Sequence, residues 1–300
     1  MQLPASALEQ LISKPRLDSY KGYWKASPEC AVGLYMWNGD VCSKVSKLLS
    51  FLEITLRNNI HRELSLSASS GASSSCAWWD PLWIQLKQAA RSKINEVKSN
   101  ALPKVLTADE IVARLSFGFW PNMLSWIAKQ RSHLMEKILP GHQLSQAGAT
   151  PNWRTPSARN LAVSEFFEFK DMRNRIAHHE PLWKFSAVMD TSPIPAIEIA
   201  SASTDERSSL LRFGRLLGLY DNAIYALSPN LCHYISASSW RKKLGFLLSQ
   251  RGLNRYKDGS HIVGGAISTK NLHQQFACVV RSNRAIQLMT PAGGGVFIPD

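Results

Sequence analysis

Cysteine is sparse in this 300-residue chain and never occurs as a CxxC pair; Cys30, Cys42, Cys76, Cys232 and Cys278 are scattered and odd in number. That pattern excludes a disulfide framework and a paired-cysteine zinc site, and the thiols are expected to be reduced. Long apolar runs are missing too. No uninterrupted stretch approaches the roughly 18 residues needed to cross a bilayer, and Met1-Gln2-Leu3-Pro4 lacks the basic-then-apolar order of a leader. A cytoplasmic protein without membrane contact is the expectation. There is no GxSxG elbow, no HExxH pair and no dinucleotide glycine fingerprint. Gly259 and Gly264 have the glycine spacing of a phosphate-binding loop, but no Lys-Ser/Thr follows. Neither cofactor nor metal is therefore expected. Acidic residues are also short, with 22 Asp+Glu against 35 Lys+Arg, a net +13. Such a balance favours a polyanionic partner: RNA, DNA or an acidic protein.

Amphipathic helices fill most of the rest. Val41, Val45, Leu48, Leu49, Leu52, Leu56 and Ile60 recur three or four apart, which predicts a long helix over residues 41–66. Further helices are expected at 6–13, from Pro81 to about 100, from a Thr107 start onward with a break at Pro121, and at 161–180, 205–227 and 239–250. The serine-rich stretch 65–75 reads as an exposed or disordered loop, and 140–156 as a connector. Trp78, Trp79 and Trp83 are expected to plug a core rather than stack on bases. The last fifty residues change character, with β-prone pieces at 278–280 and 285–289 and the glycines Gly293, Gly294 and Gly295. The fold class is mainly α: a helical domain over 1–230, and a C-terminal extension over 231–300 that includes short strands.

Within 161–180, Phe169, Met172 and Ile176 line one helix face and Asp171, Asn174, Arg175 and His178 the other. Pro181 disfavours helix at Glu180, so His178 should sit in the last turn. An arginine, an amide and an imidazole then gather at a helix end: Arg173, Asn174 and His178. This combination suits phosphodiester chemistry. Imidazole exchanges protons near neutral pH, guanidinium holds phosphate oxygens through two donors, and the amide orients either. On an ideal helix, however, Arg173 and His178 lie about 140° apart, whereas Asn174 and His178 share a face. One helix presents an incomplete site, and a two-fold pairing would bring each arginine near the other chain's histidine.

The run Asp171-Met172-Arg173-Asn174-Arg175-Ile176-Ala177-His178-His179-Glu180-Pro181-Leu182-Trp183 resembles the signature of Abi-like (abortive infection) proteins of the HEPN superfamily. Leu52-Glu53-Ile54-Thr55-Leu56-Arg57-Asn58-Asn59-Ile60 is similar to that family's early helix, and Leu115-Ser116-Phe117-Gly118-Phe119-Trp120 to its central aromatic motif. The three segments occur in family order across roughly residues 40–190. The resemblance implies a HEPN-type helical bundle, an RxxxxH site in a homodimer, metal-independent RNA cleavage, and a role as a defence or toxin–antitoxin toxin. It places Arg173 and His178 as the catalytic pair and Asn174 as the polar residue beside the arginine. The tyrosine that marks silencing by a nucleotidyltransferase partner is absent, since Glu180 stands two residues after His178. An antitoxin protein remains an expected partner. A non-catalytic RNA- or protein-binding module is the alternative.

Four neighbours have auxiliary readings. Arg57 and Asn58 echo Arg173 and Asn174 and either lend a phosphate-binding group or form an ion pair or cap. His179 is either a second proton carrier or a solvent-facing ring, and Glu180 either joins the site or holds Arg175 in a salt bridge.

Overall fold

The computed structural model describes residues 5–145, 153, 155–190, 197–259, 261, 266–282, 286–290 and 293–297. The fold is mainly α. In chain order the first helices are α1 (Ala5–Ile12), α2 (Lys14–Trp24), α3 (Pro28–Ala68), α4 (Trp79–Leu82), α5 (Gln88–Ser99), α6 (Ala108–Arg114) and α7 (Phe119–Gln130). Two short helical turns lead through α8 (Met135–Ile138) to α9 (Pro156–Ala177). There follow β1 (Val188–Asp190), β2 (Ile197–Ala200), α10 (Glu206–Leu227), α11 (Pro229–Ala237), α12 (Ser239–Leu247) and α13 (Gln250–Lys257). The C-terminal elements are β3 (Ala266–Ser268), α14 (Thr269–Ser282), β4 (Ile286–Thr290) and β5 (Gly293–Phe297).

These elements form two compact units, each discontinuous in sequence: residues 1–45, 181–215 and 238–300, and residues 46–180 and 216–237. The position 230/231, expected to separate the C-terminal extension, falls inside α11.

The first unit is built on aromatic packing. Trp183 is fully buried, with Tyr20, Tyr23 and Trp24 around it at ring centroid distances of 5.1, 4.3 and 5.5 Å. Trp37 satisfies its indole N–H on the Leu247 carbonyl at 2.8 Å, and the Asn38 side-chain oxygen accepts from Leu182 N at 2.9 Å. β1 and β2 pair antiparallel. β3 runs parallel to β4 with α14 as the crossover, and β5 returns antiparallel on β4's other side.

Several expectations are corrected here. Residues 278–280 lie in α14, not in a strand; a short β-branched run is ambiguous, and the helix wins because it carries the crossover that a parallel pair requires. Gly252 stands in the first turn of α13, where its N–H donates to the Ser249 hydroxyl and a Cβ would overlap the Phe246 carbonyl. Gly264, Gly265 and Ala285 lie outside the described residues.

The second unit holds the expected site. Leu48, Leu49, Leu52, Leu56, Ile60 and Leu64 of α3 are all buried, each contributing about 1.5–3 kcal/mol of transfer free energy. The helix is longer than its apolar pattern suggested, opening at Pro28 behind a Ser27 hydroxyl that accepts from Cys30 N. It also runs on to Ala68 with Ser65 fully buried, so the serine-rich loop is confined to residues 69–75, most of them exposed as expected. Local hydrogen bonds order it, Ser65 Oγ accepting from Cys76 N and Ser69 Oγ from Ser73 N. Trp78 and Trp79 are buried as core, as expected. α6 opens with a full Thr107–Glu110 capping box, and the break before α7 comes at residues 115–118, with Pro121 in α7's first turn. Part of the 140–156 connector lies outside the described residues.

Candidate functional site

α9 carries the expected site residues. Pro156 occupies its first turn and Thr155 the N-cap, with no side-chain cap bond. Val163, Phe166, Phe169 and Met172 are buried, with Phe169 edge-on to Tyr220 of α10 at 6.3 Å, and α9 packs against α7. This packing turns Asp171, Arg173, Asn174 and His178 outward; all four are exposed.

The end of α9 is a Schellman motif. His178 is the C-cap, His179 follows with φ 55°, His179 N donates to Ile176 O at 3.0 Å, and Glu180 N donates to Arg175 O at 2.9 Å. Arg175 and Glu180, the two residues where this motif often places an apolar contact, instead form an ion pair of 3.6 Å. Glu180 thus takes the salt-bridge alternative. Being half exposed, the pair contributes little energy but clamps the turn. His178 N donates to Asn174 O at 3.0 Å, so the amide residue joins the cap through its backbone while its side chain stays exposed.

On α3 the half-buried Glu53 has its pKa pushed up by burial, the largest influence, and drawn down by the charges of Arg173 first and Arg57 second. Guanidiniums carried by two helices therefore act on one carboxyl. Arg57 and Asn58 are joined by an Nε–Oδ1 hydrogen bond of 3.3 Å. Asn59 faces inward: it is buried, and its amide donates to the carbonyls of Ile138 at 2.9 Å and Leu227 at 3.0 Å. Arg57 acts with Arg173 on Glu53 and Asn58 is exposed, whereas Asn59 belongs to the buried scaffold. Glu53 was not singled out from the sequence, although its spacing to Arg57, four apart on one helix face, was the available signal.

One turn beyond Arg57, His61 makes a separate cluster. Its Nε2 lies 3.1 Å from Asp109 Oδ1 and 3.2 Å from Ser75 Oγ, and Ser75 donates to the same Asp109 oxygen at 2.8 Å. Serine, histidine and aspartate together invite a nucleophile reading, but the geometry refuses it. Trp78 Nε1 donates to His61 Nδ1 at 3.0 Å, which fixes the ring's lone pair there and its proton on Nε2. A ring already protonated on Nε2 takes no proton from Ser75. Burial lowers its pKa, against the pull of Asp109.

Among the described residues no three His, Cys, Asp or Glu side chains are grouped to hold a metal ion, and no helix is long and apolar enough to cross a membrane. No family model, no curated protein and no solved structure matches this chain.

Proposed function

We propose that this protein is an endoribonuclease of the HEPN type that cleaves RNA through its own 2′-hydroxyl. The observation that carries the reading is the exposed helix end: Arg173, Asn174 and His178 held at the surface by a Schellman cap, with Arg57 sharing Arg173's carboxyl partner. Imidazole removes the 2′-hydroxyl proton, O2′ bonds to phosphorus, the P–O5′ bond breaks, and a proton is delivered to O5′. The products are a 2′,3′-cyclic phosphate and a 5′-hydroxyl. Guanidinium donors meet the non-bridging oxygens as negative charge builds on them. Each step is supplied by side chains of the chain and by the substrate, so no metal ion is required. DNA lacks the nucleophile and survives.

The angular offset of Arg173 from His178 on α9 supports a homodimer in which Arg173 of one chain works with His178 of the other. The net charge of +13 fits RNA as substrate and an acidic antitoxin as a partner. Such an enzyme acts as an abortive-infection or toxin–antitoxin toxin.

End-labelled single-stranded RNA, tRNA and matched DNA are incubated with the protein in excess EDTA, beside Arg173→Ala and His178→Ala. The expected outcome is RNA-only cleavage, lost in both variants. RNA that is bound but left intact by the wild-type protein would move the assignment to a non-catalytic RNA-binding module.

A further inference from the structure

Transesterification moves two protons in one passage: one leaves O2′ and one arrives on O5′. A single imidazole holds only one of these roles at a time. A guanidinium binds phosphate as a fixed cation and does not shuttle protons, and Glu53 is half-buried on α3.

We propose that His179 is the second proton-transfer group of this site, set beside His178 by the left-handed cap of α9. Three observations converge on it. The imidazoles of His178 and His179 are both exposed, and no interaction with another described side chain ties up either ring. The two residues share a turn whose backbone is defined by two hydrogen bonds, by the Arg175–Glu180 ion pair and by Pro181 directly after it, so both rings are carried by a set backbone. Finally, His179 has φ 55° at the position where helices that end in this way ordinarily carry glycine or asparagine. A branched ring side chain at a left-handed position is a local cost, and such costs persist where the side chain has work to do. In each turnover the neutral ring takes the O2′ proton and the protonated ring donates to O5′. Exchange with water then resets both rings, so no other reactant is consumed.

This inference rests on the ribonuclease reading. Its test uses His179→Gly and His179→Asn, two residues that accept the left-handed backbone but do not titrate. End-labelled RNA cleavage is followed across pH, thermal midpoints are measured, and affinity is read with a 2′-deoxy oligonucleotide that cannot be cut. Expected are a loss of at least about tenfold at the optimum, the disappearance of one limb of the bell-shaped profile, partial rescue of His179→Gly by added imidazole, and unchanged affinity. The thermal midpoint is expected to stay or rise, because glycine relieves the backbone. Wild-type cleavage that continues undiminished in both variants, with an unaltered pH profile, overturns this inference alone and makes His179 a cap residue. RNA left intact by the wild-type protein overturns the ribonuclease reading together with it.

Discussion

A carboxyl set between two guanidiniums ordinarily ionises more readily, yet Glu53 is pushed the other way, because burial on α3 outweighs Arg173 and Arg57 together. Its folded pKa stands above the ordinary 4.5, so the fold favours the protonated form and carries a penalty at neutral pH. Such a penalty is tolerable where the charge positions something, and on the proposed chemistry the group to be positioned is Arg173. Glu53→Gln is expected to leave the thermal midpoint at pH 7 unchanged or raised while kcat/KM for RNA falls roughly ten- to a hundredfold. A fall in both quantities would instead mark Glu53 as scaffold. His61 makes the opposite case. Its folded pKa lies below the usual 6.5, so the neutral ring is the folded form. The stability it contributes is whole above pH 6.5 and drains away as the pH falls from there through the folded pKa. His142, also lowered by burial, acts with the same sign, so the useful comparison is with a His61→Gln variant. Chemical denaturation at pH steps from about 7 to about 5 should show the wild type losing more stability than the variant. Parallel curves would mean that the indole and Asp109 contacts do not couple to folding.

At the scale of elements, α9 was legible because a 3.6-residue apolar face and Pro181 both lie in the local sequence, and each acts within a turn of His178. Its N-cap was not, since Thr155, Ser157 and Asn160 are all competent caps and Pro156 decides between them. The outward residues of the site were readable for the same local reason. For Glu53 the spacing to Arg57 was readable, but not the influence of Arg173, which is far away in sequence and reaches it only through packing. Nor was the inward role of Asn59, because a buried amide answering the carbonyls of Ile138 and Leu227 is settled only by packing. The β-branched residues of α14 misled because a short apolar run carries no period of its own. Gly141 shows the same dependence on tertiary contact. Its N–H donates to Ala226 O at 2.9 Å, and a Cβ there would overlap the Tyr225 carbonyl, so the chain after α8 lies directly against the α10 backbone. Backbone cannot swing aside as a side chain does. Gly141→Ala is therefore expected to destabilise the protein by on the order of 3 kcal/mol in urea unfolding. A change below about 0.5 kcal/mol would show that this contact is loose.

For the whole molecule, the proposed ribonuclease raises the question of whether one chain carries a complete site. Arg173 and His178 are exposed at the end of the same helix, about 140° apart on an ideal geometry, and the charge of Arg173 acts on Glu53 of its own chain. A two-fold axis beside α9 resolves the offset by setting the arginine of each copy against the histidine of the other. That arrangement makes a prediction that no single-chain site can imitate. Arg173→Ala and His178→Ala are each expected to be inactive, but co-expressed or refolded together they form mixed dimers. Half of an equimolar random mixture is mixed, and each mixed dimer joins the intact arginine of one chain to the intact histidine of the other in one of its two sites. Roughly a quarter of the wild-type activity should return. Dilution below the dimer dissociation constant should then abolish the recovered activity together with that of the wild type. If the mixture stays as inactive as its components while light scattering shows mixed dimers, the arginine and histidine act within one chain. The offset on α9 would then have to be closed by the bending of the Arg173 and His178 side chains toward a shared phosphate, which the Glu53→Gln variant would make easier rather than harder.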